Sequence, residues 1–369
     1  MLVLFSNTSW YLYNFRRSTI RALLNQGWRV VCISPADEFS QRLQTELGAE
    51  HIALPLDGKS IGPVRELRSL WFIRGVLKQL QPAFVFNFTV KLNIYSGLAC
   101  RWLGIEFANN VSGLGTAFIH DSWVFRQVRR VYGLVNRGAA HLFFQNEEHL
   151  AVFRERDLLG DTPVTLLPGS GVDLERFQQR PLPEPEPFAF LMIGRLLGDK
   201  GVREYAEAAR RLKENGVNVR CVLLGQLGVS NRTAITREEV AEWERAGVLE
   251  YAGETDDVRP FIEQAHVLVL PSYREGMPRT VLEAAAMGRP AIVTDVPGCR
   301  QAIVPDETGW LCEVRNARSL ADRMQQVQAL PAERLAAFAD AARARMEAAF
   351  SEAVVINAYL GCLEGHARR

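Results

Sequence analysis

The chain has 369 residues, 48% of them hydrophobic and 23% charged, which excludes a disordered chain and suits two domains of ordinary size. The formal net charge is only +1; with no zinc-finger, RNP or basic-zipper pattern, nucleic acid is not an expected partner. Up to Arg180 there are 20 Lys/Arg against 15 Asp/Glu, and beyond it 23 against 27, so a mild basic bias in the front half suits an anionic lipid or a phosphorylated acceptor.

Leu2 to Phe5 reads as a buried strand, too short for a signal segment. A helix over Arg16 to Asn25 follows, then a strand over Arg29 to Ile33. A helix over Glu38 to Leu47 leads to a short strand at Ile52 to Leu54. Pro63 opens a helix reaching Leu80. Strands at Phe84 to Phe86, near Phe107, at Leu142 to Phe144 and at Val164 to Leu167 alternate with helices at Trp123 to Asn136 and from Asn146. Such alternation means a parallel sheet covered on both faces. The four prolines of Arg180 to Pro187 suit a domain junction or a surface loop. The rhythm then restarts with strands at Phe188 to Ile193, Val219 to Leu224, Val267 to Leu270 and Ala291 to Thr294. Helices fall at Gly201 to Lys213, Val258 to Gln264 and Thr280 to Met287. The tail reads as helical over Ser319 to Leu330, Ala332 to Ala349 and Glu352 to Leu363. Six scattered cysteines form no CxxC pair and read as free thiols. No stretch is long enough to span a bilayer, so the chain is expected in the cytoplasm unless it adheres to a membrane surface.

Open parallel sheets bind ligands beyond the carboxyl ends of their strands. Two clusters fall there in the second half. In the first, Gly194 and Arg195 follow a strand and Lys200 stands where the next helix begins. Two cations and helix amides suit a diphosphate; surface charges flanking a turn are the plain alternative. In the second, Pro271 to Pro278 includes Glu275, Gly276, Met277 and Pro278, and the helix after it carries Glu283. Glu275 suits hydrogen bonds from sugar hydroxyls. Thr255, in Gly253 to Val258, either caps a short helix or borders a base pocket. In the front half, Ser6 to Ser9 and Val111 to Thr116, with Ser112 and Gly113, are glycine- and hydroxyl-rich loops that bring backbone donors to phosphate, although neither is a full GxGxxG or Walker loop. No carboxylate or Cys/His cluster suggests a metal.

With Gly194-Arg195-Leu196, Lys200-Gly201 and the Glu275-to-Glu283 spacing in place, the chain resembles the family 4 retaining glycosyltransferases over essentially its full length. That resemblance implies the GT-B form of α/β fold, two facing Rossmann-like domains with an interdomain cleft. Residues 1–180 would be the acceptor-side domain and 181–349 the nucleotide-sugar domain, with 350–369 a helix packing back on the first. It implies that Arg195 and Lys200 bind the donor diphosphate and that Glu275 contacts the transferred sugar. Glu283 would hold the ribose, while the backbone of Gly276, Met277 and Pro278 approaches sugar and phosphates. Many members carry a histidine where this chain has Ser112; His120 lies eight residues away. Asn14-Phe15-Arg16, Lys91-Leu92-Asn93 and Ser112 to Gly115 are similar to the bacterial subgroup that builds lipid-linked surface polysaccharides and glycoprotein glycans. The resemblance therefore implies a metal-independent transfer of an N-acetylhexosamine from a UDP-sugar to a polyprenyl-diphosphate-linked glycan, with no further cofactor. A nonhydrolysing sugar-nucleotide epimerase and a catalytically weak nucleotide-sugar-binding protein are the alternatives.

The acceptor side has its own residue pattern. Arg65, Arg68, Arg74 and Lys78 accompany Trp71, Phe72 and Ile73; Arg126, Arg129, Arg130 and Arg137 accompany Trp123 and Phe125. Such helices lie on an anionic membrane or face a core with a charged outer side.

Overall fold

The computed structural model describes residues 1–55, 63–113, 123–184, 186–229, 231 and 233–367. The chain forms two compact units, Met1–Ser170 with Glu352–Arg369, and Gly171–Ser351.

Unit 1 begins β1 (Leu2–Phe5), α1 (Ser9–Asn25), β2 (Val30–Ser34), α2 (Glu38–Thr45), β3 (Glu50–Ala53). It continues α3 (Pro63–Leu80), β4 (Phe84–Phe88), α4 (Val90–Leu103), β5 (Phe107–Val111), α5 (Trp123–Asn136), β6 (His141–Phe144), α6 (Glu147–Glu155) and β7 (Val164–Leu166). The strands form one parallel sheet in the order β3-β2-β1-β4-β5-β6-β7. Helices cover both faces, so β1, β2, β4 and β5 are buried along their whole length. One face packs on α1 and α2 through Leu12, Ile20 and Leu43. The other packs on α3, α4 and α5 through Ile73, Leu77, Leu92, Cys100 and Val135.

The first helix starts seven residues before the Arg16 read from the sequence, because Thr8 Oγ1 accepts the Tyr11 amide at 3.1 Å. Asp37 adds a second tie: its Oδ2 accepts the amides of Ser9 and Trp10 at 3.1 and 3.2 Å, while its Oδ1 caps α2. The Ser6–Ser9 loop thus leads into the helix start, and Ser9 Oγ lies within 2.8 Å of Ser34 Oγ.

Unit 2 begins β8 (Phe188–Ile193), α7 (Val202–Glu214), β9 (Val219–Leu224), α8 (Arg237–Arg245), β10 (Glu250–Tyr251) and α9 (Arg259–Glu263). It continues β11 (Val267–Leu270), α10 (Arg279–Ala286), β12 (Ala291–Thr294), α11 (Pro297–Ala302), β13 (Gly309–Cys312), α12 (Ala317–Gln328) and α13 (Ala332–Arg345). Its parallel sheet runs β10-β9-β8-β11-β12-β13. Arg289, fully buried, donates to six carbonyls, those of Ile262, Glu263, Ala265, Met287, Arg180 and Pro181, at 2.5 to 3.2 Å. Burial pulls its pKa down to about 10. The start of the proline run is therefore fastened to unit 2 by a buried cation.

The long tail helix read over Ala332 to Ala349 ends in a π-helical turn, Met346–Phe350, and breaks at the extended Ser351. The last helix, α14 (Glu352–Ala367), belongs to unit 1. Val355, Tyr359 and Cys362 join the α1-side core, and the Tyr359 hydroxyl donates to Asn110 Oδ1 at 2.5 Å. All six cysteines are buried free thiols; burial pushes Cys32 and Cys100 up to about 12.

Candidate functional site

The sheet of unit 2 changes direction between β8 and β11, from which the strand order runs outward both ways. At such a switch point the loops leaving the two strands diverge and open a crevice at their carboxyl ends. Gly194 to Gly201 leaves β8, and Pro271 to Pro278 leaves β11. Both sequence clusters therefore lie at one place.

The two loops are joined through backbone. Gly201 has φ +76°, and a Cβ there would stand 2.1 Å from the Pro271 carbonyl oxygen. Only glycine allows both the left-handed conformation and this approach. The Tyr273 amide donates to the Asp199 carbonyl at 2.9 Å. Behind them, a Cβ on Gly298 in α11 would stand 2.2 Å from the Gly276 oxygen, so α11 packs on the backbone of the Glu275–Gly276 segment.

These contacts place side chains. Lys200 Nζ, in a 3-10 turn over Gly198–Lys200, bonds to Glu275 Oε1. Ser272 Oγ donates to the same oxygen at 2.6 Å, and Thr294 Oγ1, at the end of β12, donates to the Ser272 carbonyl. The Lys200 and Glu275 side chains are 23% and 12% exposed; they are drawn from bulk water but reachable. Glu275 Oε1 is thus committed to two donors, leaving Oε2 for a hydroxyl. Two of the three ammonium protons on Lys200 remain for anionic oxygens. Arg195 is exposed, and its carbonyl accepts the Leu197 amide at 2.8 Å. Its neighbours Leu196 and Leu197 are buried, and the Leu196 amide bonds to the Gln226 carbonyl at 3.1 Å.

Glu283 lies on α10, nearly buried, with Arg279 Nε donating to its Oε1 at 2.7 Å. Met277 packs on the core formed by α10 and α11, Pro278 is buried, and no side chain caps the start of α10. Tyr273 donates to Glu204 Oε1 at 2.6 Å under the Arg315 guanidinium, 4.6 Å above its ring. Burial and that bond push its phenol up to about 12, so it stays a donor.

Thr255 is exposed and does not cap α9. Its Oγ1 accepts the Asp257 amide at 3.1 Å, and the helix starts at Arg259, preceded by Val258, without a side-chain cap. The capping reading is therefore corrected: the hydroxyl closes its own turn first. Ser112 and Gly113 are half-buried at the carboxyl end of β5 in unit 1. Leu114 to Thr116 and His120 lie outside the described residues. Among the described residues no group of three His, Cys, Asp or Glu is arranged to hold a metal.

Of the supporting residues, Ser272 lay in the second sequence cluster without a role of its own, and Thr294, Arg279 and Gly298 were not singled out by sequence. Arg279 had a signal, its four-residue spacing from Glu283 on a helix. Thr294 and Gly298 act across the fold and had none.

Each unit has the Rossmann-like form of a doubly wound α/β fold, and in unit 2 a cation and a carboxylate pair at the strand switch point where such folds bind ligands. Residues 173–345 match the family model for glycosyl transferases group 1, and residues 2–146 match the model for glycosyl transferase 4-like proteins. Between them these models span most of the chain. The chain carries these two glycosyltransferase domains and is a glycosyltransferase of GT-B fold. It is 29% identical, over 85% of both chains, to the N,N'-diacetylbacillosaminyl-diphospho-undecaprenol alpha-1,3-N-acetylgalactosaminyltransferase of Campylobacter jejuni. It is 25% identical to the UDP-Gal:alpha-D-GlcNAc-diphosphoundecaprenol alpha-1,3-galactosyltransferase of Escherichia coli, over 73% of this chain and 72% of that one. A glycosyltransferase structure from Rickettsia africae superposes with a TM-score of 0.82 at 18% identity, covering 100% of this chain and 99% of that one.

Proposed function

We propose that this glycosyltransferase moves an N-acetylhexosamine from a UDP-sugar to a polyprenyl-diphosphate-linked saccharide, with retention at the anomeric carbon and without a metal or other cofactor. Unit 2 takes the donor, and unit 1 is the acceptor-side domain. The observation that carries the reading is the Lys200–Glu275 contact across the two switch-point loops. It holds a cation for the leaving diphosphate beside a carboxylate for the sugar. The relatives named above act on diphospho-undecaprenol-linked sugars, which supports the acceptor class.

In this mechanism the bond between the anomeric carbon and the diphosphate oxygen breaks as an acceptor hydroxyl forms its bond on the same face. The acceptor proton passes to the leaving phosphate. Negative charge grows on that phosphate, and Arg195 and Lys200 stabilise it with the start of α10. Glu275 Oε2 accepts from a sugar hydroxyl, and Glu283, oriented by Arg279, accepts from the ribose. The backbone of Gly194, Gly276, Met277 and Pro278 lines the approach to the phosphates and sugar. Thr255 borders the base.

The test is a panel of nucleotide-sugars incubated with polyprenyl-diphosphate-linked acceptors and read by product mass. The expected product is the acceptor plus one N-acetylhexosamine, made from the UDP donor. Donor converted without acceptor would make the protein an epimerase, and donor bound but never consumed would make it a binding protein. Either result overturns the proposal.

A further inference from the structure

The Lys200–Glu275 contact joins two loops that are distant in the chain, so their spacing has to be set before a donor arrives. Tyr273 stands between them. It lies two residues before Glu275 and next to Ser272, which donates to the Glu275 carboxylate. Its amide donates at 2.9 Å to the carbonyl of Asp199, the residue before Lys200. Its hydroxyl donates at 2.6 Å to Oε1 of Glu204, four residues after Lys200. One residue of the loop after β11 is therefore tied on both sides of Lys200. The backbone tie reaches the 3-10 turn, and the side-chain tie reaches the first turn of α7.

The side-chain tie is specific. Glu204 Oε2 is buried without a hydrogen-bond partner, so the Tyr273 hydroxyl is the one donor to this carboxylate among the described residues. A buried carboxylate oxygen without a donor is unfavourable. The place of Glu204 in the first turn of α7 offsets part of that, because free amides there favour negative charge. The Arg315 guanidinium covers the Tyr273 ring, 4.6 Å from its centroid. Arg315 follows β13, is exposed and has φ +57°. That is left-handed backbone, which glycine adopts at less cost. An arginine at this position supplies a side chain that reaches Tyr273. Segments that follow β8, β11 and β13 thus meet at one ring.

We propose that Tyr273 is a positioning residue for sugar transfer: its hydroxyl, bonded to Glu204, and its ring, covered by Arg315, hold the loop after β11 against the turn after β8 at the spacing the Lys200–Glu275 pair needs. The inference rests on the roles proposed for that pair, and Tyr273 acts through them. Tyr273→Phe removes the hydroxyl and keeps the ring under Arg315. Its kcat should fall about five- to tenfold, with a smaller loss in UDP affinity. Glu204→Gln keeps an acceptor for the hydroxyl and should stay within about threefold of the wild type, whereas Glu204→Leu should match Tyr273→Phe. In a Lys200→Ala background Tyr273→Phe should cost at most about twofold more, because the contact it positions is gone. A crystal structure of Tyr273→Phe should show the Lys200 ammonium withdrawn from Glu275. The positioning role is overturned by wild-type kcat in Tyr273→Phe, by a loss that multiplies in full onto Lys200→Ala, or by a loss in UDP affinity as large as that in kcat. It is overturned equally by Glu204→Gln as impaired as Glu204→Leu, or by an undisturbed Lys200–Glu275 contact in the Tyr273→Phe structure. Normal turnover and UDP affinity in Lys200→Ala alone would instead defeat the roles given to the pair, and the Tyr273→Phe structure would still decide whether Tyr273 holds it.

Discussion

Replacing Lys200 with Ala removes the cation that joins the two switch-point loops, and its effect can be worked from the resting geometry. Glu275, 12% exposed, would keep Ser272 as its donor among the described residues. A hydrogen bond to a charged group contributes about 1.5–3 kcal/mol, discounted here because Lys200 is 23% exposed. The expected stability loss is therefore about 1 kcal/mol. Catalysis should suffer more. A preorganised donor aimed at charge that develops in the transition state is worth about 3–4 kcal/mol, so kcat should fall roughly 10²- to 10³-fold. Glu275→Gln keeps an acceptor for Lys200 and Ser272 and should lower kcat/KM about tenfold or more through the sugar contact alone.

A double-mutant cycle separates the two roles. In the resting protein the side chains bond each other, so their stability effects should couple. In the transition state they serve opposite sides of the breaking bond, Lys200 the phosphate and Glu275 the sugar, so their effects on turnover should come closer to additive. The assays are urea unfolding for the first and initial rates with UDP-sugar and lipid-linked acceptor for the second, with UDP affinity measured alongside. If Lys200→Ala kept near-normal turnover and near-normal UDP affinity, the assignment of this lysine to the leaving group would be wrong.

Gly201→Ala should cost more than about 1 kcal/mol and impair turnover together, because the added methyl meets backbone at Pro271, which has no side chain to swing aside; near-wild-type unfolding would contradict the close approach. Arg16 is fully buried, 4.7 Å from the Phe88 ring; burial works against its charge, and Tyr11, whose hydroxyl accepts from Nη2 at 3.0 Å, and Tyr359 favour it. Arg16→Ala should destabilise by about 3 kcal/mol or more through lost packing and cation–π contact, read by thermal unfolding. His266 Nδ1 accepts the Ala189 amide at 3.0 Å, and burial lowers its pKa below the usual 6.5. Its folded pKa is depressed, so the stability it lends is present above about pH 6.5 and drains away as pH falls below that value. His266→Asn should flatten that part of the stability profile in unfolding measured across pH 5 to 8.

Much of this was legible in the chain because buried parallel strands write themselves as unbroken apolar runs. Phe188 to Ile193 and Trp123 to Asn136 match their elements residue for residue. What failed to show was set at a distance. The start of α1 depends on Thr8 and on Asp37, 28 residues beyond Ser9. The fastening of the Arg180–Pro181 segment depends on Arg289, 109 residues after Arg180. The short strand β13 and helix α11 carry too few residues for a periodic pattern. In the site the division is similar. Arg195, Lys200, Glu275 and Glu283 stood out as charges at strand ends, whereas Thr294 was a strand residue without distinction until the fold brought its hydroxyl to Ser272.

That division has a physical consequence for how the site works. The ionic groups proposed to meet the donor are held by other groups: Ser272 and Thr294 behind Glu275, Arg279 behind Glu283, Gly201 and Gly298 beneath the loop backbones. A carboxylate already fixed by two donors loses little rotamer freedom when a sugar hydroxyl arrives. Ser272→Ala should therefore act on Glu275 rather than on the fold. One of the two resting bonds to Oε1 would go and Lys200 would remain, so the carboxylate should rotate more freely and the loss should fall on kcat before KM. A fewfold to tenfold drop in kcat with unchanged UDP affinity is the expected result. Equal losses in UDP affinity and kcat would mean that the hydroxyl contacts the nucleotide itself, and the supporting role given to Ser272 would have to be withdrawn.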